Sequence, residues 1–310
     1  MDQADYDFFR ANGYLVLGKV LSDGEVTRFV RDFDRNHGEC AYLWRYLGTD
    51  THQTGNCDAL PSWVELDDIV RHRLILPVVH ELMDDTLSIL EVSARHMDIH
   101  PGPVKVAQQW HRDTPHLESH PLRMDYIQAM VYLTDVSEGS HCFTISPESV
   151  DDPVLDRDEQ LSYRGMKYLH GPAGTVILFN ASVMHTATVR ATPFERKTIQ
   201  IYYCHRDAKL GKLDMIIPAK LWRDHSDPAA GELYSPQSRA AALSNYREIR
   251  AGHMHIDVLP DSTDTLSQNA CPWNTADDTD SHQCIVKGGT ICQHFHGIKR
   301  PDTILCGYPM

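Results

Sequence analysis

The pattern of apolar and polar positions divides the chain into three stretches. In the first, Tyr6 to Arg10 predicts a short helix, and Gly13 to Val20 predicts a strand centred on Tyr14-Leu15-Val16-Leu17. A longer helix follows, because Ser22 with Glu25 makes a capping box and Val26, Phe29, Val30 and Phe33 share one face at helical spacing. Residues 40–60 show little periodicity and are expected to be loop. Ile69 to Met83 is expected to be helical, with an interruption at Pro77. From about Ser88 to Tyr203 the pattern changes to short β-rich runs: Ile127 to Leu133, Thr175 to Phe179 and Thr198 to Tyr203. Several short strands at such intervals indicate a sandwich or barrel rather than a parallel α/β sheet. After Cys204, Ser235-Pro236 predicts a helix start and Gly252 its stop, with Ala242, Leu243, Tyr246 and Ile249 as its buried face. The remainder, from Met254, is rich in Asp, Thr, Ser and His and is expected to lack long regular elements. The division is thus 6–87, 88–204 and 205–310, within one domain.

Composition narrows the partners. The 310 residues are 42% hydrophobic, and no apolar run approaches the roughly 18 residues of a membrane span. The beginning, Met1-Asp2-Gln3-Ala4-Asp5, is unlike a targeting peptide, so a cytoplasmic, membrane-free protein is expected. A net charge of −14 argues against nucleic acid. It argues less against a polyanionic cosubstrate such as a coenzyme A thioester, since Arg190, Arg196, Lys197, Arg206, Lys209 and Lys212 lie close in sequence. A homodimer is left open. The cysteines at 40, 57, 142, 204, 271, 284, 292 and 306 include no Cys-x-x-Cys pair, and free buried thiols are expected. The last four, with His282, His294 and His296, match no common zinc spacing, so a packed, loop-rich tail is the preferred reading.

Candidate chemistry lies in Gln108-Gln109-Trp110-His111-Arg112-Asp113. On an extended strand, residues two apart project from the same face. His111 and Asp113 can therefore grip one metal ion from one side. A second histidine would complete the 2-His-1-carboxylate triad that suits Fe(II) and keeps positions open for cosubstrate and oxygen. His185 is the available partner. A protein-kinase catalytic loop also carries His-Arg-Asp. Here, however, Glu118 stands where its asparagine belongs, and neither Asp-Phe-Gly nor a glycine-rich loop is present. The plain alternative is a buried structural His and Asp. Alternation points Trp110 into the core and turns Arg112 away from the chemistry. His116, His120 and His141 are read as surface or supporting histidines, and Arg123, Arg190 and Arg206 as solvated arginines.

Taken in order, Asn12-Gly13-Tyr14-Leu15-Val16-Leu17, Trp110-His111-Arg112-Asp113, Tyr132-Leu133-Thr134-Asp135-Val136, Gly171 to Phe179, His185 and Arg196 resemble the phytanoyl-CoA dioxygenase family of Fe(II)/2-oxoglutarate oxygenases. The resemblance spans residues 6 to 204. It implies a mainly β, double-stranded β-helix (a cupin-like jelly roll) with flanking helices. It also implies iron ligation by His111, Asp113 and His185, and a bidentate pair between Arg196 and the distal carboxylate of 2-oxoglutarate. Gln109, two residues before the first ligand, is a further candidate for cosubstrate contact. The chain departs from the family at Ser146-Pro147-Glu148-Ser149-Val150, where a Pro-Gly-Ser-His turn is common. It departs again at Arg190, where an asparagine is frequent. Since Asp113 keeps the carboxylate that related halogenases lack, halogenation is not expected. The implied reaction consumes 2-oxoglutarate and O2, releases succinate and CO2, and oxidises a small molecule. Hydroxylation is the expected outcome, on a specialised metabolite or amino-acid derivative. The alternatives are a cupin-type metal enzyme that does not use 2-oxoglutarate, and a non-catalytic binding module on the same fold.

Overall fold

The computed structural model describes residues 1–47, 53–84, 86–104, 108–205, 216–234, 254–260, 266–268 and 294–308, with 271, 272, 274, 278, 284 and 292. The helix expected between Ser235 and Gly252 lies outside them, as do Arg206, Lys209, Lys212 and His282.

Helix α1 (Gln3–Asn12) is capped by the Asp2 side chain and stops at Gly13, whose φ of 73° lies in the left-handed region. Strand β1 (Tyr14–Lys19) follows, then α2 (Asp23–Glu39), whose Ser22/Glu25 capping box forms as expected. Phe29 and Phe33 of α2 are fully buried, which is worth roughly 1.5–3 kcal/mol for each ring. Strands β2 (Arg45–Tyr46) and β3 (Gln53–Asn56) pair within the stretch expected to be loop. The single helix expected over Ile69–Met83 is two helices, α3 (Asp67–Val70) and α4 (Leu76–Met83), separated at Arg71–Ile75. Pro77 does not interrupt a helix. It sits in the first turn of α4, where its missing N–H leaves nothing unpaired.

The long strands follow: β4 (Leu87–Met97), β5 (Tyr126–Tyr132), β6 (Cys142–Ile145), then helix α5 (Arg157–Arg164), β7 (Lys167–Leu169), β8 (Thr175–Asn180), β9 (His185–Thr188) and β10 (Arg196–His205). A seven-stranded antiparallel sheet has the order β1-β8-β5-β10-β4-β3-β2, and a three-stranded sheet the order β7-β6-β9. Tyr14, Met130, Tyr132, Ile177 and Phe179 of the large sheet form one buried cluster with Cys142, Phe143, Ile145 and Leu169 of the small one. The two sheets therefore close on each other as a jelly roll, the architecture expected.

Register separates the two faces of the large sheet. Val131 pairs with Val176 and Ile199, and Ile199 with Ala94, so these four share a face. With Ala129, Leu178, Ile201 and Val92 they form the outer face, buried in one cluster with Phe29 and Phe33 of α2 and Val79 and Leu82 of α4. The inner face starts from Arg196, opposite Met97, and continues through Thr198 opposite Arg95, Gln200 opposite Ser93 and Tyr202 opposite Glu91. This half of the inner face is polar, and the part on β8, with Ile177 and Phe179, is apolar, as is the facing strand β6 of the small sheet with Phe143 and Ile145.

The tail carries a sheet that its polar composition does not suggest. Strands β11 (Met254–Pro260), β12 (Leu266–Gln268), β13 (Phe295–Lys299) and β14 (Thr303–Cys306) pair in the order β12-β11-β14-β13. Phe295, Ile298, Ile304 and Cys306 bury themselves with Cys40 and Leu43, and the Ile298 N–H donates to the Pro61 carbonyl at 2.6 Å. Between β10 and this sheet lie the short helices α6 (Ala219–Trp222) and α7 (Pro228–Tyr234). Cys40, Cys142, Cys204, Cys271 and Cys306 are buried free thiols. No helix of the described residues is long and apolar enough to cross a membrane.

Gly13 explains part of the opening motif. A Cβ there would sit 2.4 Å from Val183 Cγ2, in the turn that leads to His185, and the backbone is already left-handed. Gly13→Ala is expected to lower unfolding stability by about 2–4 kcal/mol, from left-handed strain plus overpacking. A shifted urea midpoint at constant slope would show it, whereas an unchanged midpoint would refute the steric account.

Candidate metal centre

Two segments meet to make the site. The first, Gln108 to Asp113, does not form the strand expected of it. Only His111 bridges, antiparallel to His185 at the start of β9. The His111 N–H donates to the His185 carbonyl at 3.0 Å, and the reverse bond is 2.9 Å. The Asp113 N–H donates to the Ala181 carbonyl at 2.9 Å. Opposite lies the turn after β8. There Asn180 Oδ1 accepts from the Ser182 N–H at 2.9 Å, and Ser182 Oγ donates to the Pro115 carbonyl at 3.0 Å. These bonds bring His111, Asp113 and His185 together although more than seventy residues separate the first from the last.

The ligand atoms of the three side chains lie within 4.8 Å of one another, the one such His/Cys/Asp/Glu group among the described residues. Asp113 Oδ1 is 3.3 Å from His111 Nε2 and 3.7 Å from His185 Nε2. Each imidazole faces its Nδ1 to the carbonyl two residues earlier, Gln109 for His111 and Val183 for His185, both at 2.8 Å. A carbonyl only accepts, so Nδ1 carries a proton in both rings and Nε2 is the atom each would turn to a metal, His111 once it gives up the Nε2 proton it shares with Asp113. Burial pushes the His185 imidazole down to about 4, helped by the charge of His111, so it is neutral at neutral pH. Burial also works to raise Asp113. The hydrogen bond from His111 and the nearby positive charges outweigh it and hold the carboxyl below its ordinary range. His111 is raised, first by that same bond. Side-chain exposure falls from 52% at His111 through 18% at Asp113 to 8% at His185, so the site opens on the His111 side. On the closed side the rings of Phe179 and Phe143 pack 5.0 and 5.6 Å from His185. Two imidazoles and one carboxylate on one side of a gap suit a divalent transition metal with open coordination positions, the metal taking the place of the proton between His111 and Asp113.

Arg196 is 2% exposed, and its Nε and Nη1 have no hydrogen-bond partner among the described residues. Thr198, two residues on and on the same inner face, has an unpartnered buried Oγ1. A buried guanidinium with vacant donors is costly unless an anion meets it. A ligand carboxylate fits that need, and 2-oxoglutarate carries one at each end.

The remaining sequence expectations divide. Gln109 presents its carbonyl to His111 and leaves its side chain exposed. The Gln108 amide donates to Thr188 Oγ1 at 2.8 Å. Trp110 is half-buried rather than core, its indole N–H donating to Gln108 Oε1 at 3.2 Å. His120 and His141 hold backbone groups, as their supporting reading requires. Arg190 stacks over Tyr168, and Arg123 donates to the Asp152 carbonyl. Four inner-face residues went unnoticed in the sequence: Thr198, Gln200, Tyr202 and Arg95. Period-two parity with Arg196 is the signal that finds the three on β10.

Fold and site together define a jelly roll with a His-Asp-His group that could hold a metal ion, the arrangement of a non-haem iron oxygenase. A sequence profile described as phytanoyl-CoA dioxygenase matches residues 9–198, and the chain belongs to that family. It is an iron- and 2-oxoglutarate-dependent dioxygenase acting on a small molecule. The ectoine dioxygenase of Stutzerimonas stutzeri (strain A1501) is 28% identical over 234 residues, 64% of this chain and 75% of that protein. Among solved structures, the non-heme alpha ketoglutarate-dependent epimerase SnoN from nogalamycin biosynthesis matches with a TM-score of 0.57 at 19% identity, covering 66% of this chain and 80% of its own. The carbocyclase SnoK from the same biosynthesis matches at 0.56 and 18%, covering 80% and 91%. EctD from S. alaskensis with bound Fe matches at 0.54 and 20%, covering 67% and 78%. These likenesses bear on the fold.

Proposed function

We propose that His111, Asp113 and His185 hold the iron, that Arg196 with Thr198 receives the distal carboxylate of 2-oxoglutarate, and that the enzyme hydroxylates a small zwitterionic substrate of the amino-acid-derivative class. The observation that carries the reading is the buried Arg196 guanidinium, whose Nε and Nη1 lack a hydrogen-bond partner among the described residues, on the same inner face as the polar residues of β4 and β10. Iron and 2-oxoglutarate, when bound, supply the oxidising chemistry. The chain's part is placement. The Gln109 and Val183 carbonyls fix both imidazoles, and Phe143, Phe179 and Ile145 line the apolar half that keeps water from the closed side.

The polar half supports this substrate class. Arg95 Nη2 and Glu91 Oε1 approach to 3.6 Å as an ion pair without a hydrogen bond, and Glu91 Oε1, buried, accepts no hydrogen bond among the described residues. Arg95 also donates to the Tyr202 hydroxyl at 3.1 Å, while Gln128 donates to Gln200 at 2.7 Å. A loose charge pair beside amides and phenols suits a ligand that carries both an acid and an amine. Arg95→Ala is accordingly expected to raise the substrate KM by about ten- to a hundredfold, the worth of one charge-assisted bond at 1.5–3 kcal/mol. Its 2-oxoglutarate KM should stay put.

The test is anaerobically purified protein given Fe(II), 2-oxoglutarate and a panel of zwitterionic amino-acid derivatives, with succinate and product mass followed on admitting air. The expected result is succinate released in step with a product one oxygen atom heavier. An iron-loaded protein that consumes no 2-oxoglutarate with any of them would instead favour a cupin-type enzyme of different chemistry.

A further inference from the structure

The turn after β6 is where this chain departs from the family's Pro-Gly-Ser-His pattern, and it places an ionisable side chain, Glu148, in the interior. The Glu148 side chain is 6% exposed. Its Oε1 accepts from Arg112 Nε at 3.1 Å, from Arg112 Nη2 at 2.9 Å and from the Met184 backbone N–H at 2.7 Å. Its Oε2 lies 3.1 Å from His116 Nε2. Arg112 is the residue between His111 and Asp113, and Met184 is the residue before His185. One carboxylate oxygen thus joins both ligand-bearing segments from behind.

We propose that Glu148 is a positioning residue for the iron site, clamping the His111–Asp113 segment to the His185 segment through Arg112 and Met184. The proposal rests on the reading above that these three side chains hold the metal. The chemistry favours a clamp over a mere surface pair. All donors to Oε1 come from the two segments, and the carboxylate's own backbone is fixed, with Glu148 N–H donating to the Asn12 carbonyl at 3.1 Å and Ser146 N–H to the Met184 carbonyl at 2.9 Å. Charge-assisted bonds of this kind are the short, directional ones. Partners that hold metal ligands from behind typically matter by about 10- to 100-fold in metal affinity. Arg112, although it faces away from the metal, thereby acquires a task.

The test titrates apo wild type, Glu148→Ala, Glu148→Gln, Arg112→Ala and His111→Ala with Fe(II) and with Co(II), at a temperature where circular dichroism shows each variant folded. Glu148→Ala and Arg112→Ala are expected to bind metal about 10- to 100-fold more weakly and to shift the Co(II) absorption bands. Glu148→Gln keeps an oxygen acceptor for Arg112 and Met184 and should recover most of the loss. Lower melting temperatures with unchanged metal constants and spectra in Glu148→Ala and Arg112→Ala would make the network a brace of the fold and overturn the proposal. Should Glu148→Ala not fold, Arg112→Ala decides by the same criterion. His111→Ala separates the two readings. If it loses metal while the Glu148 and Arg112 variants do not, only the clamp fails; if it binds like wild type, the ligand assignment and the clamp both fall.

Discussion

Asp113→Ala is expected to reduce 2-oxoglutarate turnover to background while leaving the fold intact. Asp113 is the one anionic donor of the three, poised 3.3 and 3.7 Å from the two Nε2 atoms. Without it the pocket offers two neutral imidazoles, one of them more than half exposed. A divalent ion held by two imidazoles alone, one of them open to water, exchanges readily. The carboxylate also sets the protonation of its neighbours, so its loss should return His111 toward an ordinary histidine and remove its competition between proton and metal. Folding depends on the site far less. The Asp113 N–H keeps its bond to the Ala181 carbonyl whatever the side chain, and no hydrophobic cluster includes this residue. Succinate formation under saturating Fe(II), read beside a thermal melt, checks both halves. Wild-type turnover in the purified variant would remove Asp113 from the ligand set, and a collapsed melt would make its role structural. His111→Ala should behave alike.

Local signals were legible in the sequence, and spatial ones were not. The capping box at Ser22 and Glu25 and the apolar face of α2 are short-range patterns, and both form. β5, β8 and β10 stand out as β-branched and aromatic runs. Their faces were harder to tell apart, because the jelly roll covers both. All seven residues of β5 are buried, so hydrophobicity alone does not reveal which positions turn toward the cavity. Only a residue with an unambiguous demand for the interior, Arg196, sets the parity, and Thr198, Gln200 and Tyr202 then follow. The strand assumed around His111 failed for a related reason. One backbone bridge, the Asp113 N–H bond to the Ala181 carbonyl and the His111 imidazole-to-Gln109 contact hold the segment, and such contacts leave no period in the sequence. Pro77 misled in the opposite sense, since a proline marks a helix start as readily as a break. Glu148 was invisible as a functional residue because its partners, Arg112 and Met184, lie thirty-six residues away in the chain.

Arg196→Ala should separate cosubstrate binding from stability. In the folded protein the guanidinium is buried, its Nε and Nη1 without a hydrogen-bond partner among the described residues, and burial is the first cause lowering its hold on the proton. It nevertheless stays charged at any working pH, because arginine does not deprotonate in proteins. The apo protein therefore carries an uncompensated buried charge, and truncation removes that penalty while opening a cavity, two effects of opposite sign. The apo melting temperature should move little or rise. Binding of 2-oxoglutarate should suffer instead. Loss of two charge-assisted bonds at about 1.5–3 kcal/mol each predicts at least a hundredfold higher KM for 2-oxoglutarate. The stabilisation that 2-oxoglutarate confers on the iron-loaded protein should disappear at the same concentration. Arg196→Lys should rescue poorly, since an ammonium is a point charge without the planar fork that meets both carboxylate oxygens. A variant that saturates with 2-oxoglutarate as the wild type does would take the anchor away from Arg196. A lost melt without a changed KM would show that the guanidinium serves the barrel and not the ligand.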